Sequence, residues 1–216
     1  MIDLHTHTFF SDGVLSPSEL VYRAKLAGYT AIAITDHADE SSFEQAIKNV
    51  LKAKKNLTKH YDIKVFAGCE LTYVPPALIK LLTIKARKLG ADVIVCHGET
   101  TAENVPPGTN RAAILAKVDI LAHPGKISDE DVELAAKNNV ALEITSRRGH
   151  RNTNNYVYKL AKKHGAKLVF GNDTHQPEDI LNKDQIMKLF VSSKIPKIKF
   201  DIMIQNAEEI LKTWRQ

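Results

Sequence analysis

The chain has 216 residues, of which 44% are apolar and 25% are charged, and these values exclude a disordered or fibrous protein. This length predicts one domain over residues 1–216. No apolar run approaches the roughly 20 residues of a membrane helix and no signal segment is recognisable, so we expect a cytoplasmic protein without a membrane partner. The net charge of +5 indicates only a weak preference for anionic ligands.

Short apolar runs alternate with longer segments of helical periodicity, the pattern of repeated β-α units. The seven predicted strands are MIDLHTH, TAIAITD, IKVFAGCE, DVIVCHG, VDILAHP, VALEITS and AKLVFGND. The predicted helices span residues 16–27, 42–60, 76–89, 111–116, 128–138, 152–164, 184–193 and 201–215. This alternation predicts an α/β fold with parallel strands joined by right-handed crossovers, either as a closed barrel or as an open doubly wound sheet.

Histidines and carboxylates recur at the C-terminal ends of the predicted strands, which meet at one face of a parallel α/β fold. Alternate residues of a strand point to the same side, so His5 and His7 can reach one ion, and Asp173 and His175 stand in the same relation. These pairs lie on the first and last strands and are neighbours only if the sheet closes, which favours a barrel. The predicted metal ligands are His5, His7, Asp12, His37, Glu70, His97, His123, Asp173 and His175.

These nine candidates exceed what one ion can bind, which implies two or three divalent ions with Glu70 as a bridge. Imidazole ligands suit zinc, manganese or iron, whereas carboxylates favour harder ions, so the pattern leaves the metal open. The remaining histidines, His60, His150 and His164, are predicted to be exposed residues without a ligand role.

The segments HTHTFFSDG, AITDHAD, GCE, CHGE, LAHPG and GNDTH together resemble the polymerase and histidinol phosphatase (PHP) superfamily, in particular its histidinol-phosphatase-like members. The resemblance implies a distorted (β/α)7 TIM-like barrel, in agreement with the seven strands counted above. It also implies a trinuclear metal site made of the nine residues. In the family pattern one ion is held by His5, His7, Glu70 and Asp173, a second by Glu70, His97 and His123, and a third by Asp12, His37 and His175.

The main functional hypothesis is a metal-dependent phosphoric ester hydrolase that cleaves a small phosphomonoester. Two or three neighbouring ions can lower the pKa of a bridging water and stabilise the entering and leaving oxygens, so the nucleophile is a metal-bridging hydroxide and no further catalytic side chain is assigned. Histidinol phosphate is one candidate substrate. Arginine and lysine side chains suit an anionic, phosphorylated ligand, and the candidate substrate-binding residues are Arg147, Arg148, Lys126 and Arg111.

Three alternatives remain. An amidohydrolase also begins with His-x-His, but a modified lysine stands where this chain has His97. A phosphodiesterase or exonuclease acting on nucleotides or nucleic acid needs a basic, aromatic-rich groove, which 6% aromatic residues do not indicate, so nucleic acid is not the expected partner. The third alternative is a non-catalytic binding module of the same fold. Such a module is expected to lack some of the metal ligands, whereas this chain has all nine candidates. The sequence leaves the oligomeric state open.

Overall fold

A computed structural model describes residues 1–213 as a parallel β-sheet surrounded by helices. The sheet order is β1-β2-β4-β5-β6-β7-β8. Strand β3 follows β2 after two residues and pairs with the same neighbour, β4, so β2 and β3 together occupy one strand position of the barrel. The strands are β1 (Ile2–Asp3), β2 (Ala31–Ile34), β3 (His37–Ala38), β4 (Lys64–Leu71), β5 (Val93–His97), β6 (Ile120–Ala122), β7 (Ala141–Thr145) and β8 (Leu168–Gly171).

The last strand returns to the first just beyond their regular parts. Thr6 and Thr174 form a parallel bridge, the amide of His7 donates to the Thr174 carbonyl at 2.8 Å, and the amide of Asp173 donates to the His5 carbonyl at 3.0 Å. These bonds almost close the sheet into a barrel with seven strand positions. The predicted (β/α)7 barrel is confirmed, and the open sheet is excluded.

The helices cover the outside of the barrel and begin at recognisable caps. At the first helix, the Ser16 hydroxyl accepts a hydrogen bond from the Glu19 amide at 3.2 Å, and Pro17 occupies the first helical position. At the fifth helix, the Ser128 hydroxyl accepts one from the Asp131 amide at 3.1 Å. The last predicted helix runs to residue 215, and its residues 214–215 lie outside the described range. The helices are α1 (Pro17–Leu26), α2 (Phe43–Tyr61), α3 (Pro76–Lys88), α4 (Thr109–Ala116), α5 (Asp129–Asn138), α6 (Asn154–His164), α7 (Lys183–Ser192) and α8 (Lys199–Thr213), with 3-10 turns at His150–Thr153 and Pro177–Asp179.

None of the helices within residues 1–213 is both long enough and apolar enough to cross a lipid bilayer.

The barrel interior changes from apolar to polar along β5 and β7. On β5, the alternate residues Val93, Val95 and His97 share one side, and on β7 Ala141 and Glu143 do so. Val93, Val95 and Ala141 belong to one buried cluster with Ala207 and Leu211 of α8, which contacts both β1 and β8. The interior is therefore filled with apolar side chains at one end, and the same positions present ligand-type side chains at the other.

Candidate metal centre

All nine predicted ligands converge at the C-terminal end of the barrel, at a cavity of about 510 Å³. Six of the nine line this cavity. His5, His7 and Glu70 form its base behind the lining residues His37 and Asp173, and they are at most 1% exposed. The ligand atoms form four overlapping groups, within each of which all atoms lie no more than 4.8 Å apart. The groups are His5, His7 and Glu70; His5, His123 and Asp173; Glu70, His97 and His123; and His7, Asp12, His37 and His175.

The deepest ligand atoms have the spacing expected around a shared ion. His5 Nε2 lies 3.3 Å from Glu70 Oε1, and His7 Nε2 lies 3.6 Å from Glu70 Oε2 and 3.3 Å from Asp173 Oδ1. Two atoms that are each roughly 2.1 Å from one ion are separated by about 3.0 to 3.5 Å. The base of the cavity therefore has the dimensions of a metal site.

Several buried polar atoms at this base form no hydrogen bond of good geometry among the described residues, although Glu70 Oε2 lies 2.7 Å from His37 Nδ1 and His7 Nε2 lies 3.3 Å from Asp173 Oδ1. They are Nε2 of His5, both ring nitrogens of His7, both carboxylate oxygens of Glu70 and Nδ1 of His123. A buried polar atom without a partner costs about 1 to 3 kcal/mol. Coordination of divalent cations satisfies such atoms, so the donor set fits the metal ions that the resemblance implies.

The protonation states of Glu70, Asp173, His7 and His123 suit metal binding, whereas neighbouring carboxylates raise the pKa of His5 and His37, and these two rings must release a proton when an ion binds. Burial by itself raises the pKa of Glu70 and Asp173, but the adjacent His5 ring lowers the pKa of both carboxyls well below its usual value. Burial lowers the pKa of His7 to about 3 and that of His123 well below its usual value. Anionic carboxylates and neutral imidazoles are the forms that bind cations.

Backbone carbonyls select which nitrogen of two ligand rings faces the cavity. His97 Nδ1 lies 3.0 Å from the Gly98 carbonyl, and His175 Nδ1 lies 2.9 Å from the Asp173 carbonyl. A carbonyl can only accept, so both Nδ1 atoms carry the hydrogen. Nε2 of each ring is therefore the atom available to bind a cation.

Glu143 also belongs to the site. The sequence placed this residue on the sixth predicted strand but indicated no function for it. Its Oε1 lies 2.7 Å from His5 Nδ1, and its Oε2 accepts the amide of His123 at 3.1 Å. Burial lowers the pKa of His5, but the Glu143, Glu70 and Asp173 carboxylates raise it well above its usual value. A Cβ at Gly171 would lie 2.0 Å from Glu143 Oε1, so glycine makes the room for this carboxylate.

We expect Glu143→Ala to weaken metal binding by about 10- to 100-fold, because the substitution frees the His5 ring that Glu143 orients. Competition with a chelator of known affinity measures the change. Glu143→Gln keeps an acceptor oxygen and is expected to lose less, and Glu133→Ala on the exposed face of α5 is the control. Equal metal affinity in Glu143→Ala and the wild type contradicts the orienting role.

The outermost group includes Asp12, which lies on the loop after β1. Asp12 Oδ1 is 3.2 Å from His175 Nε2 and 3.5 Å from His37 Nε2, and the Asp12 side chain is 57% exposed. Asp36 holds this loop, because its carboxylate accepts the Thr8 amide at 2.6 Å and the Ser11 hydroxyl at 2.9 Å. A buried aspartate therefore fixes an exposed one beside two imidazoles.

Only one of the four candidate substrate-binding residues lies at the cavity. Arg147 lines the wall and bonds Asp179 at 3.1 Å. Arg148 and Lys126 are exposed and are not among the described lining residues, and Arg111 instead pairs with an aspartate of α5 at 2.7 Å. Strand ends alone could not decide which way these flexible side chains point.

The prediction that His150 is exposed is wrong. His150 is 5% exposed, lines the cavity, and stacks on His123 with ring centroids 4.3 Å apart. It follows the sixth predicted strand, so the strand-end rule that selected the candidate ligands could also have placed His150 at the cavity. His60 is exposed as predicted, whereas His164 is partly buried beside Asp129.

The match to protein families covers almost the whole chain: the model described as the PHP domain matches residues 3–214. The chain belongs to the PHP family. An uncharacterized protein of Methanocaldococcus jannaschii is 44% identical to this PHP chain over 213 residues, which cover 97% of this chain and 98% of the relative. A protein of Clostridium novyi named as a probable phosphatase is 29% identical over 99% of this chain and 93% of its own length.

A solved structure confirms the fold. A chain in a cryo-EM structure of archaeal ribonuclease P with mature tRNA superposes with a TM-score of 0.73 and 20% sequence identity, over 99% of this chain and 91% of that one. At this identity the likeness concerns the PHP barrel alone. Family membership and the probable phosphatase relative together support a phosphoesterase or related hydrolase.

Proposed function

We propose that this PHP protein is a metal-dependent phosphatase that hydrolyses a small phosphomonoester. The observation that carries the proposal is the set of four overlapping ligand groups, two of which share the buried carboxylate of Glu70. Its two oxygens lie 3.3 Å from His5 Nε2 and 2.7 Å from His37 Nδ1. Such groups suit two or three neighbouring divalent ions, and we assign the nine predicted ligands to them, with zinc, manganese or iron as candidates.

Divalent ions bound there supply Lewis acidity, lower the pKa of a coordinated water, and neutralise phosphate oxygens. The chain itself contributes position and charge. Glu143 and the carbonyls of Gly98 and Asp173 orient three imidazoles. Arg147, at the cavity wall, can present two parallel donors to a phosphoryl group. A cavity of about 510 Å³ suits a small ester rather than a folded macromolecule.

Elemental analysis of the purified protein, followed by a phosphate-release screen, tests the proposal. The panel contains histidinol phosphate, nucleoside monophosphates and sugar phosphates. We expect two or three equivalents of a transition metal and turnover of at least one monoester that a chelator abolishes and added metal restores. A protein that binds no metal and releases no phosphate from any member of the panel refutes the proposal.

Phosphodiester cleavage is the second candidate, favoured by two exposed aromatic side chains among the residues that line the cavity. Phe10 is 46% exposed and Tyr73 is 58% exposed. Aromatic faces at a cavity mouth can stack on nucleobases. The same screen therefore includes bis(p-nitrophenyl) phosphate and a short single-stranded RNA. Faster turnover of these diesters than of any monoester favours a nuclease or phosphodiesterase over a phosphatase.

A further inference from the structure

His150 forms part of the cavity wall beside the candidate metal ligands but belongs to none of their groups. Its ring stacks on His123 and lies edge-on to His97, with centroids 6.0 Å apart. Its side chain is 6% exposed. A buried polar ring at this position needs a partner on each nitrogen, and the two nitrogens have different partners.

The Nδ1 side is fixed by Thr100. The Thr100 hydroxyl oxygen lies 2.7 Å from His150 Nδ1 and accepts the Ala102 amide at 3.3 Å. Among the described contacts, Nδ1 is the one partner to which this hydroxyl can donate its hydrogen. The arrangement favours the tautomer in which Nδ1 accepts and Nε2 carries the hydrogen.

Nε2 of His150 faces the carboxylate of Glu103. Glu103 Oε1 lies 3.5 Å from His150 Nε2, and Glu103 Oε2 lies 3.3 Å from His97 Nε2. The two oxygens of the Glu103 carboxylate thus contact His150, in the cavity wall, and His97, a candidate metal ligand. Glu103 is 46% exposed, and residues 101–104 around it are exposed as well, so little packing holds this carboxylate in place.

We propose that His150 is a substrate-binding residue whose Nε2–H donates to a phosphoryl oxygen, and that the phosphoryl group takes the position of the Glu103 carboxylate. The geometry of that carboxylate shows that an anion with two oxygens fits between His97 and His150. Arg147 lines the same cavity. Its positive charge attracts a phosphoryl group that binds there in place of the Glu103 carboxylate. This inference rests on the proposed function, because it assumes a phosphorylated ligand.

The first test needs no substitution. Long-range proton–nitrogen correlation spectra of the zinc-loaded protein report which ring nitrogen of His150 carries the hydrogen, and we expect Nε2–H. The Nδ1–H tautomer removes the donor from the cavity and overturns the proposal. Assignment follows from the signal that disappears in His150→Gln.

The second test is calorimetric titration of inorganic phosphate onto the metal-loaded protein. We expect His150→Ala to weaken phosphate binding at least about tenfold, since a hydrogen bond to a charged group is lost, and His150→Gln to recover most of the affinity through its amide N–H. Glu103→Gln is expected to tighten binding severalfold, because it removes the competing charge. His164→Ala, on α6 away from the cavity lining, is the matched control.

The outcomes separate this inference from the proposed function. Unchanged phosphate affinity in a folded His150→Ala overturns the inference even if the wild type is a phosphatase. Loss of bound metal in His150→Ala or His150→Gln also overturns it, since His150 is then a ligand. Phosphate binding that depends on His150, in a protein that hydrolyses no monoester, supports the inference and refutes the phosphatase. A metal-loaded wild type that binds no phosphate contradicts both.

Discussion

His7→Ala is expected to abolish turnover and to release metal while leaving the helical circular dichroism unchanged. Neither buried ring nitrogen of His7 forms a hydrogen bond of good geometry within residues 1–213, and Nε2 lies within 3.6 Å of carboxylate oxygens of both Glu70 and Asp173. Residues that only orient ligands contribute about 10- to 100-fold to metal affinity or activity, so loss of a ligand itself should cost more than ~100-fold. Activity at saturating substrate and metal content by elemental analysis measure the effect.

Stability measurements refine this prediction. His7→Ala removes two unsatisfied buried nitrogens, so its free energy of unfolding with chelator present should equal or exceed that of the wild type. With metal in excess the wild type should be the more stable, because binding adds to the stability of the folded state. His60→Ala, an exposed residue of α2, is the control. Wild-type turnover by His7→Ala means that His7 is not a ligand.

Phe190→Ala is expected to lower the free energy of unfolding by about 3 to 5 kcal/mol, the usual cost of truncating a buried aromatic side chain. Phe190 on α7 is 0% exposed. Its ring centroid lies 5.9 Å from that of Phe170 on β8 and 5.8 Å from that of Phe200 on α8. The substitution therefore opens a cavity where the last strand meets the two final helices.

Urea unfolding followed by circular dichroism measures this loss. Val191→Ala, the next residue along the chain, is the control, since Val191 is 60% exposed and its truncation should stay within about 0.5 kcal/mol. A loss below ~1 kcal/mol for Phe190→Ala means that α7 and α8 add little to the barrel. A large loss of stability with wild-type metal content at low temperature separates this packing role from the site.

Local sequence patterns were enough to predict the strands and the candidate ligands that the structure brings together. Runs such as VIVCHG are apolar until their final residues, so the strand and its functional end were both visible. Parallel strands then force these ends to one face, which brings His97 near His5 without any knowledge of the loops. Barrel closure also followed, because ligand pairs on the first and last strands can share an ion only in a closed sheet.

The sequence by itself determined which residues can bind metal, since that depends on residue type and on short-range periodicity. Only the tertiary structure revealed the contacts of Glu143 and His150, because each contact joins distant parts of the chain. Glu143 bonds a histidine 138 residues away, and His150 bonds a threonine 50 residues away. Arg111 shows the same limit, because a neighbouring helix, not the cavity, determines the direction of its long side chain.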